Sequence, residues 1–211
     1  SSTLSKTPVL PLFAQHLGAT PAEIGWIVMA STLPGILISF PAGAMTDRIG
    51  TRRLLLAALV IFASAPLLYL GVTNAWQLML VRFYHGFATA VFGTVATAAI
   101  AARYPRERAA RLSTYSSATI VGRSLAPFLG GALISLASFH MVYVACAVSG
   151  ALALALGLWL PRETAPAASA TPRHSEFLHD LRRVLGDRGI VITSLTEAAQ
   201  YLVFGAVEAF L

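Results

Sequence analysis

Apolar residues run along the chain in seven long blocks separated by short polar breaks. In approximate bounds the blocks cover residues 1–17, 22–45, 54–72, 76–101, 112–137, 139–160 and 190–211. A helix needs about 20 mostly apolar residues to cross the hydrocarbon core of a bilayer, and most of the blocks reach that length. Backbone polar groups must be bonded internally in lipid, so the blocks predict helices. Barrel strands would run about 10 residues with alternating polarity, and that pattern is missing. The expected fold class is all-α, a polytopic membrane helix bundle. The first block looks truncated, and the chain opens inside one apolar block and closes inside another. No initiator Met and no signal-peptide pattern is present. A piece of a longer membrane protein is expected.

Local signals set the boundaries. Thr20-Pro21-Ala22-Glu23 reads as a capping box with proline at the first helical position, opening the second span. Gly71 and Asn74 punctuate the turn between the third and fourth spans. Pro161 stops the sixth. Pro8, Pro11, Pro34, Pro41, Pro66 and Pro127 fall inside spans, where they are tolerated and favour kinks.

Composition supports the membrane reading. Of 211 residues, 56% are hydrophobic and 11% charged, against roughly 45–50% and about 25% in an average soluble domain. The placement of the charges adds orientation. Arg48, Arg52 and Arg53 follow the second span, and Arg103, Arg106, Arg108 and Arg111 follow the fourth. Arg162, Arg173, Arg182, Arg183 and Arg188 lie between the sixth and seventh. The opposite loops, near Gly18, Val72 and Ser138, carry no Lys or Arg. Positive charge marks the cytoplasmic side, so the loops after spans two, four and six are expected inside. The high isoelectric point, about 10.1, is then a consequence of topology, and no nucleic-acid partner is expected. A bacterial inner membrane is the expected location, with the lipid bilayer as a partner.

Residues 162–189 break the pattern. The stretch begins rich in Pro, Ala, Ser and Thr, as a linker would. Then "SEFLHDLRRVLGD" puts Phe177, Leu178, Leu181, Val184 and Leu185 on one helical face, predicting an amphipathic helix on the inner membrane surface. The expected organisation is a six-helix bundle over 1–160, a cytoplasmic linker over 161–189 and the first helix of a second bundle over 190–211.

Between the second and third spans the chain reads "GAMTDRIGTRR", Gly43 to Arg53. Gly43 and Gly50 would let backbone or a neighbouring helix approach closely. Asp47 adds a negative charge where only positive ones help orientation. At a membrane edge an acid can pair with arginine or face a helix N-terminus, each worth about 1 kcal/mol. The alternative is an ordinary basic turn.

Six spans, a long inner loop and this motif resemble the N-terminal half of a major facilitator superfamily (MFS) transporter, in its twelve-helix drug–proton antiporter branch. Gly43, Asp47, Arg48, Gly50 and Arg52 match the family's G-x-L-a-D-R-x-G-R-K loop. Met45 replaces the usual Leu, and Thr51 the first basic residue. The resemblance implies a fold of inverted three-helix repeats and a gating role for this loop, latching against the second bundle. "LMLVRFYHGFATA" resembles the family's fourth-helix motif, with Arg82 and Gly86 matching, His85 in place of Gln and Ala88 in place of Gly. In the family this arginine is linked to proton coupling. "GRSLAPFLGG" resembles the antiporter motif of the fifth helix, with Gly122, Pro127, Gly130 and Gly131 matching and Ala126 in place of Gly. That motif is associated with export, and generic close helix packing is the alternative.

Three basic residues lie inside spans. Arg82 is placed roughly 9 Å from the outer edge at 1.5 Å per residue and either snorkels or, with His85, Gly86 and Thr89 on its face, lines a cavity. Arg123 sits near mid-bilayer, where an arginine costs roughly 3 kcal/mol on insertion scales and marks function. A structural ion pair is its alternative. Lys6 is similarly deep. Either could bind an anionic group or pair with an acid. In the seventh span, Glu197, Tyr201, Phe204 and Glu208 share a helical face, and Glu208 is the deeper carboxylate, suited to exchange protons.

No nucleotide-binding loop is present, the five His are scattered and the single cysteine is Cys146. No metal, cofactor or enzymatic activity is expected, and a proton gradient is the expected energy source. The expected function is proton-coupled efflux of a small molecule by alternating access. Proton-coupled import of a metabolite or organic anion, and a non-transporting scaffold or sensor, remain as alternatives.

Overall fold

The computed structural model describes residues 9–39, 45–46, 49–136, 138–160 and, towards the C-terminus, 186–189, 191–192, 195–196 and 199. Seven helices are defined among these residues: α1 (Val9–His16), α2 (Pro21–Ala30), α3 (Leu33–Ser39), α4 (Thr51–Tyr69), α5 (Ala75–Arg103), α6 (Arg108–Leu136) and α7 (Phe139–Leu158). No strand occurs among the described residues. Five segments are long and apolar enough to cross a membrane: Pro21–Ile38, which joins α2 and α3, and α4, α5, α6 and α7. The chain is an all-α, multi-pass membrane helix bundle.

The helix ends follow from local chemistry. Gly18, at φ +79°, closes α1 with a pair of backbone bonds, Gly18 to Gln15 O and Ala19 to Ala14 O. This left-handed cap satisfies carbonyls that the helix leaves open. The capping box then starts α2. The Glu23 amide donates to Thr20 Oγ1 at 3.3 Å, and Glu23 Oε2 accepts from the Thr20 amide at 2.8 Å. At α5, Asn74 Oδ1 accepts from the Gln77 amide at 2.9 Å. Gly50 precedes α4 at φ +90°, a conformation that disfavours a Cβ. Its role is therefore conformational, and close approach is not needed to explain it.

The second span is in two pieces. Pro34 has no amide to give to Ala30, so the ladder fails one turn earlier. The Thr32 amide bonds Met29 O at 2.8 Å, and the helix restarts with Ile36 to Thr32 O at 3.1 Å. Pro66 and Pro127, by contrast, lie within unbroken α4 and α6. The fourth and fifth spans are longer than the sequence pattern suggests, 29 residues each, because α5 begins at Ala75 and α6 already at Arg108.

α5 is the hub, packing against α2, α3, α4 and α6, while α4 packs most extensively against α7. Two apolar clusters hold the bundle. One joins Leu10, Phe13, Ile27, Tyr69, Leu78 and Tyr143 towards the ends near Gly18 and Val72. The other joins Leu54, Ala58, Ala88, Val91 and Val95. The α4–α7 contact depends on missing side chains. A Cβ on Gly150 would stand 2.5 Å from Phe62 O, and one on Gly157 would overlap Leu59 Cδ1.

The chain divides into two compact units, 1–166 and 167–211. In the second, the Val191 amide bonds Asp187 O at 3.0 Å and Thr196 Oγ1 donates to Ile192 O at 2.8 Å, both helical spacings. The expected amphipathic helix at 177–185 lies outside the described residues.

Candidate functional site

Arg82 is the most unusual residue of the bundle. It sits seven residues into α5 and is only 2% exposed. Its side chain does not snorkel to the membrane surface. It turns into the protein, where Nη2 donates to Ser31 Oγ at 2.7 Å and Nε reaches Ile27 O at 3.5 Å. Ser31 Oγ in turn donates to Val28 O at 3.2 Å. Nη1 has no hydrogen-bond partner among the described residues. The Tyr69 hydroxyl lies beside the same guanidinium. His85, also 2% exposed, occupies the neighbouring face of α5. Its Nδ1 is 3.5 Å from the Tyr69 hydroxyl, and its ring meets Phe62 edge-on at 5.6 Å. Tyr69 stacks flat on Tyr143 at 4.6 Å, whose buried hydroxyl lacks a partner among the described residues. A guanidinium, an imidazole, two phenols and a serine thus form one polar seam through an apolar core.

Beside this seam the break in the second span leaves a cleft of about 350 Å³. The residues Ser31, Thr32 and Thr89, together with Gly35, Gly86 and Ile36, line it. Gly86 is what allows the two segments to meet: a Cβ there would overlap the Ser31 carbonyl oxygen and touch Pro34 Cγ at 3.0 Å. Counting 1.5 Å per residue from the helix ends near Gly18 and Val72 places Ser31 about 15 Å deep and Thr89 about 21 Å deep. The cleft is therefore near the bilayer midplane.

The stripe expected on α5 divides in two. Arg82 and His85 turn into the packed core, whereas Gly86 and Thr89 open on the cleft. Arg123 is near the middle of α6 and exposed. It makes no ion pair among the described residues, where the Arg111–Glu107 pair at 2.8 Å is the one present. Along the fifth-span motif, Ala126 and Gly130 are buried, while a Cβ on Gly122 or Gly131 would meet nothing within 4 Å. Pro127 is partly buried between them.

In the basic loop, Arg52 has a definite partner. Its Nε donates to Leu160 O and its Nη2 to Leu158 O, both at 3.0 Å. It caps the C-terminal end of α7, where carbonyls lack helical partners and a cation is favoured. Gly43, Asp47 and Arg48 lie outside the described residues, as do Lys6, Glu197, Tyr201 and Glu208.

Sequence reasoning missed Ser31 and Thr32, which follow from the string "STLPG": a proline inside a span frees backbone upstream, and hydroxyls there suit a polar cleft. It also missed Gly150 and Gly157, whose spacing of seven puts both on one face of α7. Nothing local marks Tyr69 or Tyr143.

Three relatives illustrate the similarity. An uncharacterized MFS-type transporter of Methanocaldococcus jannaschii is 29% identical over 147 residues, covering 69% of this chain and 38% of that protein. A multidrug transporter, MdfA, of Yersinia pestis is 27% identical over 180 residues, covering 82% and 44%. A putative multidrug resistance protein, MdtD, of Klebsiella pneumoniae is 27% identical over 136 residues, covering 64% and 29%. The chain spans less than half the length of these curated relatives. The Major Facilitator Superfamily profile matches residues 5–210, and this multi-pass bundle belongs to that family.

Proposed function

We propose that this chain supplies the N-terminal bundle of a secondary transporter that exports a small molecule by alternating access, driven by protons. The observation that carries the reading is the buried Arg82 seam beside a mid-depth cleft at a broken span. A charge and an interrupted helix are costly in a membrane core and are tolerated where they line or support a site. Transporters of this architecture bind near the midplane. Two of the relatives carry multidrug names, which favours efflux of drug-like compounds, as does the fifth-span motif around Pro127. Glu208 is assigned as the proton-exchanging group, with Arg82 and His85 as supporting residues. Asp47 is assigned as the latch to a second bundle. The basic loops are assigned to the cytoplasmic side of a bacterial inner membrane.

The test is efflux of a compound panel from vesicles holding the full-length protein, with and without a pH gradient. Glu208→Gln should leave flux down a substrate gradient intact and abolish its dependence on the pH gradient. Unchanged coupling would remove Glu208 from the mechanism, and no flux of any compound would favour the scaffold reading. Import is the second reading. It draws on Arg123, exposed at mid-depth without an acidic partner among the described residues, which suits capture of an organic anion. Flux direction in right-side-out and everted vesicles separates the two.

A further inference from the structure

The cleft at the break of the second span carries three hydroxyls in a mostly apolar wall, with a cation directly behind one of them. Ser31 lines the cleft, and its Oγ accepts the 2.7 Å hydrogen bond from Arg82 Nη2. That bond holds the guanidinium one side chain away from the open volume. Thr32 and Thr89 add hydroxyls, and a Cβ on Gly35 would meet nothing within 4 Å. At about 350 Å³, the space is that of a small-ligand pocket.

The sign of the charge is not cancelled nearby. The sequence carries nine acidic residues. Glu23 is at the end of the second span, tied into the Thr20 cap, Glu107 is in the turn before α6, and Asp47 lies outside the described residues. The other six follow Leu160. Among the described residues, the charges at depth in the spans are therefore the buried Arg82 and the exposed Arg123, with no carboxylate beside them. Among the described residues, Arg82 Nη1 has no partner, and the side chain is 2% exposed. Screening by water is weak at that depth, so an uncompensated cation acts strongly on any charge entering beside it. Arg123 carries a second cation at comparable depth, 13 residues from the outer end of α6.

We infer that the cleft lined by Ser31, Thr32 and Thr89 is a binding subsite for an anionic group, and that the transported molecule is a small organic anion. This rests on the transport reading and names its substrate class. The Thr32 and Thr89 hydroxyls donate to the anion's oxygens, Arg82 supplies the field through Ser31, and Gly86 seats the second span closely on α5. A cationic group of the same size is disfavoured there, because the charges at depth among the described residues, Arg82 and Arg123, have its sign.

The experiment uses the full-length protein in liposomes and two permanently charged probes of similar size, benzenesulfonate and benzyltrimethylammonium, each with the gradient in both directions. Neither probe crosses lipid freely or changes charge with pH. Benzenesulfonate is expected to move and the cation not. Thr89→Phe, which fills the cleft, should cut sulfonate flux at least tenfold. Ser31→Ala, which opens no large cavity and removes the bonded hydroxyl, should raise the half-saturating concentration several-fold at unchanged membrane insertion. Movement of the cation instead, or sulfonate flux indifferent to both substitutions, overturns the subsite and leaves the transport reading standing. Movement of neither probe also overturns it, and the compound panel then judges transport separately.

Discussion

Arg82 sits in a balance that can be weighed. Placing an arginine at depth in a membrane helix costs roughly 3 kcal/mol on insertion scales. Hydrogen bonds to a charged group return about 1.5–3 kcal/mol each, and here Ser31 provides a short one and Ile27 a long one. The two sides nearly cancel, so stability alone does not account for the residue. Arg82→Met, similar in length and apolar, should shift the unfolding free energy in detergent by less than about 2 kcal/mol while transport falls at least tenfold. A collapse of the thermal unfolding midpoint would make Arg82 a structural residue. Gly86 presents the opposite case. Gly86→Ala puts a methyl group into the Ser31 carbonyl, and overpacking of this kind costs about 1–3 kcal/mol. A lowered unfolding midpoint checks it. Arg82, His85, Gly86 and Thr89 were legible as polar or small positions on α5, whereas the turn of Arg82 and His85 into the core, away from the cleft, was not. Ser31 was not assigned, because its part depends on an arginine 51 positions away.

The helices show where local rules suffice. Thr20, Asn74 and Gly18 cap their helices with the chemistry their types suggest, because a cap is decided within a few residues. Proline is less regular: Pro34 accompanies a break, whereas Pro66 lies inside a continuous α4. Neighbours decide, since a freed carbonyl must find a partner or a cleft. Arg52 joins two elements that no local rule would pair. Arg52→Gln should weaken the cap on α7 by up to about 1 kcal/mol. Faster hydrogen exchange confined to the last turn of α7 is the expected reading, and unchanged exchange would make the contact incidental. The α4–α7 interface is the more sensitive element. Gly150→Val would drive a branched side chain into Phe62 and Ala63 backbone, and the expected result is loss of the monodisperse folded fraction after extraction.

Across the molecule, orientation and gating are both measurable. Cys146 is the single cysteine and is buried, so membrane-impermeant thiol labelling starts from a silent background. Arg106→Cys should label only from the cytoplasmic side and Thr73→Cys only from the opposite one; the reverse pattern would invert the bundle. Asp47→Asn should reduce transport several-fold with that labelling unchanged, whereas altered labelling would return the loop to a topology signal. The sequence by itself determined five of the seven expected spans, many of their ends, the excess of basic loops on one side and the family resemblance. These depend on hydrophobicity, charge and short spacings, which act along the chain. Tertiary structure decided that the Arg82 charge turns inward to Ser31, that the second span opens a cleft, that Gly150 and Gly157 seat α7 on α4, and that Arg52 reaches carbonyls more than 100 positions away. Each of these depends on which faces meet, and a helix does not carry its neighbour's position in its own sequence.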